Sequence, residues 1–456
     1  MTELYASLVN LDVASGFTAV APVLGSDPVG SLTGNDYGES LVHPDRAGVE
    51  PRIGVSWRPV PASTIVVRAG YGVYHDTSVY LNPVLQLAQQ APLSKSVKEQ
   101  NSASCPLTLA NGFISCPSTI EQAFGLDPEF RVGYAQDWNL ALQRDLPGSM
   151  QITATYLGVK GTHGAQEFLP NSYPLSANDP CPACPSGFVY ETSGGNSTRQ
   201  SAQLQLRRRL RAGFTALLMY TYSKSSDDVA MLGGQGHTSS STQSNLADNE
   251  KLTISSGPAQ TPQIAQDWRD LRAERSLSSF DQRHLVNLQA QYTTGQGLEG
   301  GTLLHGWPGR LLKEWTLLTR VNAGTGFPES PVYPAPVPGT GEVGPLRPSL
   351  TGAPLYISQG HTHLNAAAFS APDPGTWGTA PRNSIRGPNT FSLDGALQRT
   401  FRPTSRFYFD ARIDANNLMN HVVFNNWNTM IGNPQFGQPV AASQMRSIQT
   451  TLRLRF

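Results

Sequence analysis

The chain has 456 residues, and its 33 Lys and Arg balance its 33 Asp and Glu, so no overall charge would attract nucleic acid or an acidic partner. Charged residues make up 14% of the chain, against roughly 25% in a typical soluble domain, and there are 43 Gly and 35 Pro. This composition argues against a helical enzyme and favours a turn-rich β protein. No apolar run approaches the ~18 residues of a membrane helix, so only strands could cross a membrane.

Residues 1–50 are rich in Gly, Pro and Asp and have weak hydrophobic patterning, so we expect an extracellular loop or a truncated strand region there. They lack a basic segment followed by an apolar core and therefore show no secretory signal. We interpret this as either a protein that stays inside the cell or a chain that lacks its own beginning.

From residue 51 to 456, apolar residues recur at every second position in a series of segments. This period of two predicts β-strands. The eleven predicted strands are Arg52–Arg58, Thr64–Tyr74, Tyr134–Arg144, Gln151–Lys160, Gln200–Leu210, Phe214–Ser223, Asp281–Tyr292, Trp315–Thr325, Phe391–Phe401, Arg406–Asn416 and Met445–Phe456. Short and long connections alternate between them, except that the link from Tyr292 to Trp315 is longer than the other turns.

The last strand shows the pattern most clearly. Phe456, Leu454 and Leu452 fall on one face, and Arg455 and Arg453 fall on the other. Such a strand suits a wall between lipid and water, although a soluble sandwich strand can alternate in the same way.

The alternation of connection lengths separates a membrane barrel from a soluble one. Strands of about ten residues tilted at about 45° cross a bilayer's hydrocarbon core, and outer-membrane barrels place short turns in the periplasm and long loops outside. A soluble barrel or sandwich has no reason to segregate loop length. The sequence therefore predicts an all-β fold, an antiparallel transmembrane β-barrel over residues 51–456.

Four cysteines form two close pairs inside Pro-, Gly- and Ser-rich stretches. We expect local disulfides between Cys105 and Cys116 and between Cys181 and Cys184, which indicates an oxidising compartment. The spacing of Cys181 and Cys184 also fits a redox motif or a zinc knuckle, but no second such pair is found.

Several polar clusters could suggest chemistry, and each has a simpler interpretation. Asp281, Arg283 and His284 fit a rim contact between Asp281 and Arg283 at the start of a strand, and three aspartates of the hairpin over 391–416 fit a polar barrel lumen rather than a glycosidase pair. Those aspartates are Asp394, Asp410 and Asp414. His361 and His363 fit a solvated loop, and the basic run fits a solvated or headgroup-facing rim; its members are Arg207, Arg208, Arg209 and Arg211. We predict no catalytic residue, metal site or cofactor.

Longer motifs run in order from about residue 50 to the end. They include the segments 51–57, 68–74, 136–140, 156–163, 220–225, 280–284, 365–369, 386–388 and 416–421, which begin with Pro51-Arg52-Ile53-Gly54-Val55-Ser56-Trp57 and end with Asn416-Asn417-Leu418-Met419-Asn420-His421. In this order they resemble the barrel of TonB-dependent receptors of the Oar-like type.

The resemblance implies a barrel of about twenty-two strands, preceded by a carboxypeptidase-regulatory-like β domain and a plug that carries the energy-coupling contact. The chain would then be the C-terminal part of the barrel, a non-enzymatic receptor or transporter portion for a large solute in the outer membrane. Its expected partners are outer-membrane lipid, the barrel assembly machinery, the upstream plug and N-terminal barrel half, and the TonB complex through that plug, with no nucleic acid.

In barrels of this family, a terminal aromatic residue on an alternating last strand is what the assembly machinery reads. The resemblance implies this role for Phe456, together with Leu454 and Leu452. Two rival functions remain from the sequence: a passive porin-like or adhesive surface barrel, and a soluble secreted β enzyme or lectin. The ligand cannot be read from loops of this composition.

Overall fold

The structure is a computed structural model that describes most of the chain. The residues outside the description are 1–7, 47, 92–96, 99–105, 107, 109, 111–119, 122, 183, 186–187, 230–264, 298–303, 340–341, 344–345, 360–361, 402–407 and 456.

Eleven long strands form one antiparallel sheet in which every strand pairs with its neighbours in the sequence. We call this sheet the wall. Its strands are β1 (Arg52–Trp57), β2 (Val66–His75), β3 (Tyr134–Leu146), β4 (Met150–Phe168), β5 (Val189–Arg211), β6 (Phe214–Asp227), β7 (His284–Thr293), β8 (Thr316–Gly324), β9 (Thr390–Phe401), β10 (Tyr408–Asn416) and β11 (Ser447–Arg455). All eleven predicted strands are therefore present, in the predicted order.

One end of the wall carries the short connections. Arg211 of β5 pairs with Phe214 of β6, which leaves a two-residue turn at Ala212 and Gly213. Both turn residues have positive φ, 50° and 75°, as a type I′ hairpin turn requires. The exception at this end is the connection between β7 and β8, which contains a helix at Gly306–Leu312.

The other end carries five long loops. They are loop 1 (residues 76–133), loop 2 (169–188), loop 3 (228–283), loop 4 (325–389) and loop 5 (417–446). Loop 1 contains helix α1 (Leu81–Ala88), so the helix at Gly306–Leu312 is α2. Four 3₁₀ turns lie at Ser15–Phe17, Thr77–Tyr80, Leu271–Glu274 and Ala366–Ala368. Among the described residues, no helix combines the length and apolar character needed to cross a membrane.

The loops also form short strands. Val9–Val13 pairs with Val20–Leu24 as an N-terminal hairpin, so residues 1–50 contain a hairpin that is separate from the wall. Phe124–Leu126 and Ser276–Leu277 extend the wall beside β5 and β6. Within the loops, the other pairs are Val97–Lys98 with Ile120–Glu121, Pro328–Glu329 with Ile385–Arg386, Pro336–Val337 with Glu342–Val343, Ser349–Leu350 with Phe369–Ser370, and Tyr356–Gln359 with Thr362–Leu364.

The buried apolar clusters lie among the loops and not beneath the wall. One joins the N-terminal region to loop 1 through Tyr37, Leu87 and Phe124. A second joins the hairpin to loops 2 and 3 through Leu11, Phe188 and Ala265 and the adjoining strand residues. Two smaller clusters lie within loops 4 and 5 and around Leu346. The wall is therefore a single layer that supports a packed loop assembly at one end.

Candidate functional site

The register of the wall gives it one continuous apolar face. Directly opposed residues share a face, and the pairings link Trp57 to Val67, Leu142 and Ala154 across four strands. The large apolar side chains on this face are exposed, for example 61% for Leu454. They include Ile53, Val55, Trp57, Tyr71, Leu140, Leu142, Tyr156, Leu204, Leu218, Tyr220, Tyr222, Tyr292, Leu317, Leu397, Ile413, Ile448, Leu452 and Leu454. So large an exposed apolar surface needs an apolar medium to cover it.

Aromatic residues lie at both ends of the apolar face as well as along its middle. Tyr222 pairs with His284 at the start of β7, near the long-loop end. Tyr292 pairs with Phe214 beside the short-turn end. Aromatic residues at both ends are typical of the girdles that border the lipid around a membrane barrel.

The opposite face is polar and hydrogen-bonded across the strands. Arg412 of β10 donates to both carboxylate oxygens of Asp414 and, at 2.9 Å, to Gln398 of β9. Asp410 accepts from Thr400 at 2.6 Å and pairs with Arg455 of β11 at 2.7 Å. Asp394 accepts the backbone N–H of Asn417 at 3.0 Å. These three aspartates each have a partner on the polar face, as a water-facing lumen surface requires.

Loop 4 is tied to its neighbours by three ion pairs, two of them buried on both sides. Arg347 donates two parallel hydrogen bonds of 2.9 and 2.8 Å to Glu274 of loop 3. Arg382 binds the carboxylate and the carbonyl oxygen of Asp227 at the end of β6. Bidentate and charge-assisted contacts of this kind fix a geometry more tightly than single neutral hydrogen bonds do.

The third ion pair lies where β7 begins. Arg386 pairs with Asp281, and its Nη1 also donates to the Asp281 carbonyl oxygen at 2.7 Å. Asp281 is fully buried and accepts the Ser225 N–H at 2.6 Å. The expected contact of Asp281 with Arg283 is wrong, because Arg283 points instead over the Tyr222 ring, 6.0 Å from its centroid. Asp281 and Arg283 precede the first strand residue, His284, so no strand geometry places their side chains together, and the Asp281 carboxylate is turned toward Arg386 of loop 4.

Loop 5 closes on loop 4 through a second set of contacts. Glu329 accepts the Trp427 N–H at 3.1 Å, and the Trp427 indole donates to the Arg386 carbonyl oxygen at 3.0 Å. His363 stacks on Trp427, with ring centroids 4.5 Å apart. Burial raises the pKa of Glu329 to about 8 and outweighs the opposing effect of the Trp427 hydrogen bond.

Two buried carboxyl groups face each other at the base of the loop assembly. Glu167 of β4 lies directly opposite Glu191 of β5, and each is 2% exposed. Burial raises the pKa of Glu167 to about 7 and of Glu191 to about 8, and the Glu167 charge raises the Glu191 value further. Oε2 of Glu191 has no hydrogen-bond partner among the described residues.

Buried amides join the N-terminal hairpin to loop 1. Asn10 donates to the carbonyl oxygens of Leu41 and Leu126 at 3.0 and 2.9 Å and accepts the Leu126 N–H. Gln90 donates to Val9 at 2.7 Å and exchanges hydrogen bonds with the Phe124 backbone. These contacts satisfy backbone groups of the N-terminal region and loop 1.

The structure places only some of the other predicted site residues. The Cys181 and Cys184 sulfurs lie in a disulfide, whereas Cys105, Cys116, His361 and Phe456 lie outside the described residues. Leu452 and Leu454 lie on the apolar face of β11. In the described part of the chain, no group of three or more His, Cys, Asp or Glu residues could hold a metal ion.

Sequence reasoning misses the arginines that fix loop 4. Arg386 stands out only as part of the Arg386-Gly387-Pro388 motif, and Arg347 and Arg382 have no signal of their own. Their partners are 73 to 155 residues away in the sequence, a distance over which spacing carries no information.

The chain is similar to known outer-membrane proteins. The model of a family described as "Outer membrane beta barrel domain" matches residues 1–449. The chain is similar to the outer membrane transporter YddB from Escherichia coli, with 10% identity and a TM-score of 0.48 over 89% of this chain and 40% of that one. None of the curated proteins matches it.

Two further solved structures are similar to the chain. One is the ferripyoverdine receptor of the outer membrane of Pseudomonas aeruginosa, with 11% identity and a TM-score of 0.42 over 89% of this chain and 32% of that one. The other is the siderophore receptor PiuA from Acinetobacter baumannii, with 10% identity and a TM-score of 0.38 over 89% of this chain and 35% of that one. The chain thus spans two fifths or less of the length of these three structures.

A one-layer antiparallel wall with an exposed apolar face, a polar face and aromatic borders defines part of a membrane-spanning β-barrel. The chain belongs to the outer membrane β-barrel domain family. The predicted all-β, outer-membrane barrel class and the outer-membrane location are thereby confirmed.

Proposed function

We propose that this chain forms part of the wall and the outer loops of a receptor barrel that takes up a large solute, as the resemblance to TonB-dependent receptors implies. The observation that carries this proposal is the anchoring of loop 4 by Arg347, Arg382 and Arg386. A passive pore needs only a wall, whereas these three ion pairs hold a shaped loop surface above the polar face. Pre-organised surfaces of this kind lower the entropy cost of binding a ligand.

In this proposal the solute contacts the loop assembly first and then passes along the polar face. The Arg412–Asp414 and Arg455–Asp410 pairs line that path, and they provide both donors and acceptors. The role involves no covalent chemistry. Energy would come from an inner-membrane TonB complex through a plug domain, and the barrel assembly machinery would insert the protein.

The two edges of the wall support a larger barrel. In the described residues, β1 pairs only with β2 and β11 only with β10. In lipid each unpaired backbone group costs several kcal/mol, so an open edge is not stable in a membrane. We propose that further strands, the N-terminal half of the barrel, pair with both edges.

Uptake measurements in the source bacterium test the proposal against a passive porin-like or adhesive barrel. A strain that lacks the gene and its parent are grown on the same complex medium, and the spent media are compared by mass spectrometry. We expect a large solute to remain only in the medium of the deletion strain, and a protonophore to produce the same effect in the parent. Uptake that continues with the protonophore would instead show a passive channel, and identical spent media would argue against any uptake role.

A further inference from the structure

Helix α2 lies on the apolar face of the wall, at its short-turn end. Arg399 of β9 follows Leu397 by two positions and so belongs to the same face, as its pairing with Ala411 shows. Its guanidinium donates to the carbonyl oxygen of Leu311 in α2 at 2.6 Å. The helix therefore covers the apolar face just where the strands end.

A groove separates the helix from the wall. Its volume is ≈ 660 Å³. Tyr292 and Leu397 of the apolar face form its floor, and Leu304, Leu312 and Trp315 form its sides. The floor continues into Leu317, which pairs with both Tyr292 and Leu397 and is itself exposed. The groove is thus an extension of the face that an outer-membrane barrel turns toward lipid.

The helix presents apolar residues outward as well. Trp307 is 74% exposed, and Leu311 and Leu312 are also exposed. A short helix with exposed Trp and Leu side chains is stable at a membrane surface, where the apolar side chains enter the acyl boundary. Short turns of outer-membrane barrels lie on the periplasmic side, so this surface is that of the periplasmic leaflet.

Positive charge lies beside the apolar groove. The guanidinium of Arg399 lies 5.4 Å from the Trp315 ring centroid and 4.5 Å from that of Phe401, and the residue is 8% exposed. Lys313 follows the helix directly, and its Cβ borders Gly295 of the groove. Arg399 thus fixes Trp315 and the helix in place, and an apolar groove bordered by a lysine matches an acyl chain attached to an anionic phosphate.

We propose that this groove binds one acyl chain of a phospholipid of the periplasmic leaflet, with the lipid phosphate beside Lys313. The site would hold a lipid longer than the exposed wall does, because the chain is enclosed from two sides. It would also fasten helix α2 to the membrane surface. The inference rests on membership in the outer-membrane barrel family and not on uptake of any solute.

Photocrosslinking tests the site. The full-length protein is reconstituted into vesicles of phosphatidylethanolamine and phosphatidylglycerol that contain a phosphatidylethanolamine with a diazirine in its acyl chain, and labelled peptides are mapped by mass spectrometry. We expect about tenfold more label on residues 304–315 than on Ile53–Trp57 of β1, whose exposed side chains meet only bulk lipid. Equal labelling of the two regions would overturn the proposal.

Two groove variants and one control sharpen the result. Leu312→Asp places a charge in the groove and Leu304→Trp fills it, and each should reduce labelling of residues 304–315 to the level of β1. Leu350→Asp, at an exposed leucine of loop 4, should leave it unchanged. Folding of each variant is checked by its heat-modifiable migration in gels. Full labelling in a folded Leu304→Trp variant would contradict the site even if Leu312→Asp failed to fold.

Discussion

The three arginines of loop 4 differ in how completely they are enclosed, and Arg347 gives the sharpest test. Replacing Arg347 by Leu leaves the buried Glu274 carboxylate without its partner. Removing one member of a buried pair costs about 3–5 kcal/mol, whereas replacing both members by apolar residues is often neutral. Hydrogen exchange of the loop 3 and loop 4 amides should therefore rise strongly in Arg347→Leu and much less in the Arg347→Leu, Glu274→Leu double variant.

A matched control for this prediction is Arg272→Ala, at an exposed position of the same 3₁₀ turn that carries Glu274. It should leave exchange in loop 4 unchanged. If Arg347→Leu exchanged no faster than Arg272→Ala, loop 4 would not be anchored by this pair.

The carboxyl pair of Glu167 and Glu191 predicts a pH dependence. Both pKa values are raised above the ordinary 4.5, to about 7 and about 8, so the folded loop assembly holds protons that the unfolded chain releases. The contribution of this pair to stability is then fully present below about pH 4.5 and is lost as the pH rises toward 8. We therefore expect the loop assembly to be less stable at pH 8 than at pH 5.

Glu191→Gln removes one of the two titrating groups and should flatten this dependence, whereas Glu39→Gln, at an exposed position, should not. The measurement is hydrogen exchange of the amides at 162–168 in β4 and at 189–196 in β5, the outer ends of these strands. Exchange is followed between pH 5 and 8 and corrected for the intrinsic effect of pH. Parallel curves for Glu191→Gln and the unchanged protein would refute a coupled pair.

At the scale of the element, the strands show what sequence can predict. The alternation of apolar and polar residues located all eleven wall strands, because lipid on one face and water on the other impose a period of two. It failed at the outer ends of β4 and β5, which continue to Phe168 and begin at Val189. There neither face meets lipid, the register shifts twice near Gly195, and a Cβ at Gly195 would lie 2.7 Å from the Gly164 carbonyl oxygen. Loop packing and not a lipid boundary selects these residues, so no periodic signal remains.

The two faces of β3 predict opposite responses to the same substitution. Leu140 lies on the apolar face near the middle of the strand, and Asn139 lies on the polar face. Leu140→Arg should reduce the free energy of folding into vesicles by about 2–4 kcal/mol, because the charge enters the bilayer midplane. Asn139→Arg should change it little. Urea titrations of refolded protein measure both, and similar losses would contradict the assignment of the faces.

The last strand carries the assembly prediction. Deleting Phe456 should lower the amount of folded protein in the outer membrane, whereas Phe456→Tyr, which keeps an aromatic terminus, should not. The role comes from the resemblance to TonB-dependent receptors, since Phe456 lies outside the described residues. Heat-modifiable protein in outer-membrane fractions is the readout. Normal yield after the deletion would count against an aromatic assembly signal.

At the scale of the whole molecule, the wall and the loop assembly are held together by different kinds of contact. The wall is ordered by backbone pairing between sequence neighbours, so its topology follows from the chain order alone. The loop assembly is ordered by contacts across long sequence distances, such as Asn10 with Leu126 and Arg382 with Asp227. The sequence predicts the first and not the second, because a buried pair leaves no local pattern in either of its members.

We expect the wall to hold loop 4 outside the cell, and epitope tags on intact cells test this orientation most directly. Gly352 of loop 4 and Gly148 of the β3–β4 turn both have positive φ and open space around them, and Gly148 meets only the Met150 side chain. A short tag inserted at Gly352 should bind antibody on intact cells, and the same tag at Gly148 should bind only after the outer membrane is permeabilised. Staining of intact cells by the Gly148 tag, or its absence with the Gly352 tag in folded protein, would contradict this orientation.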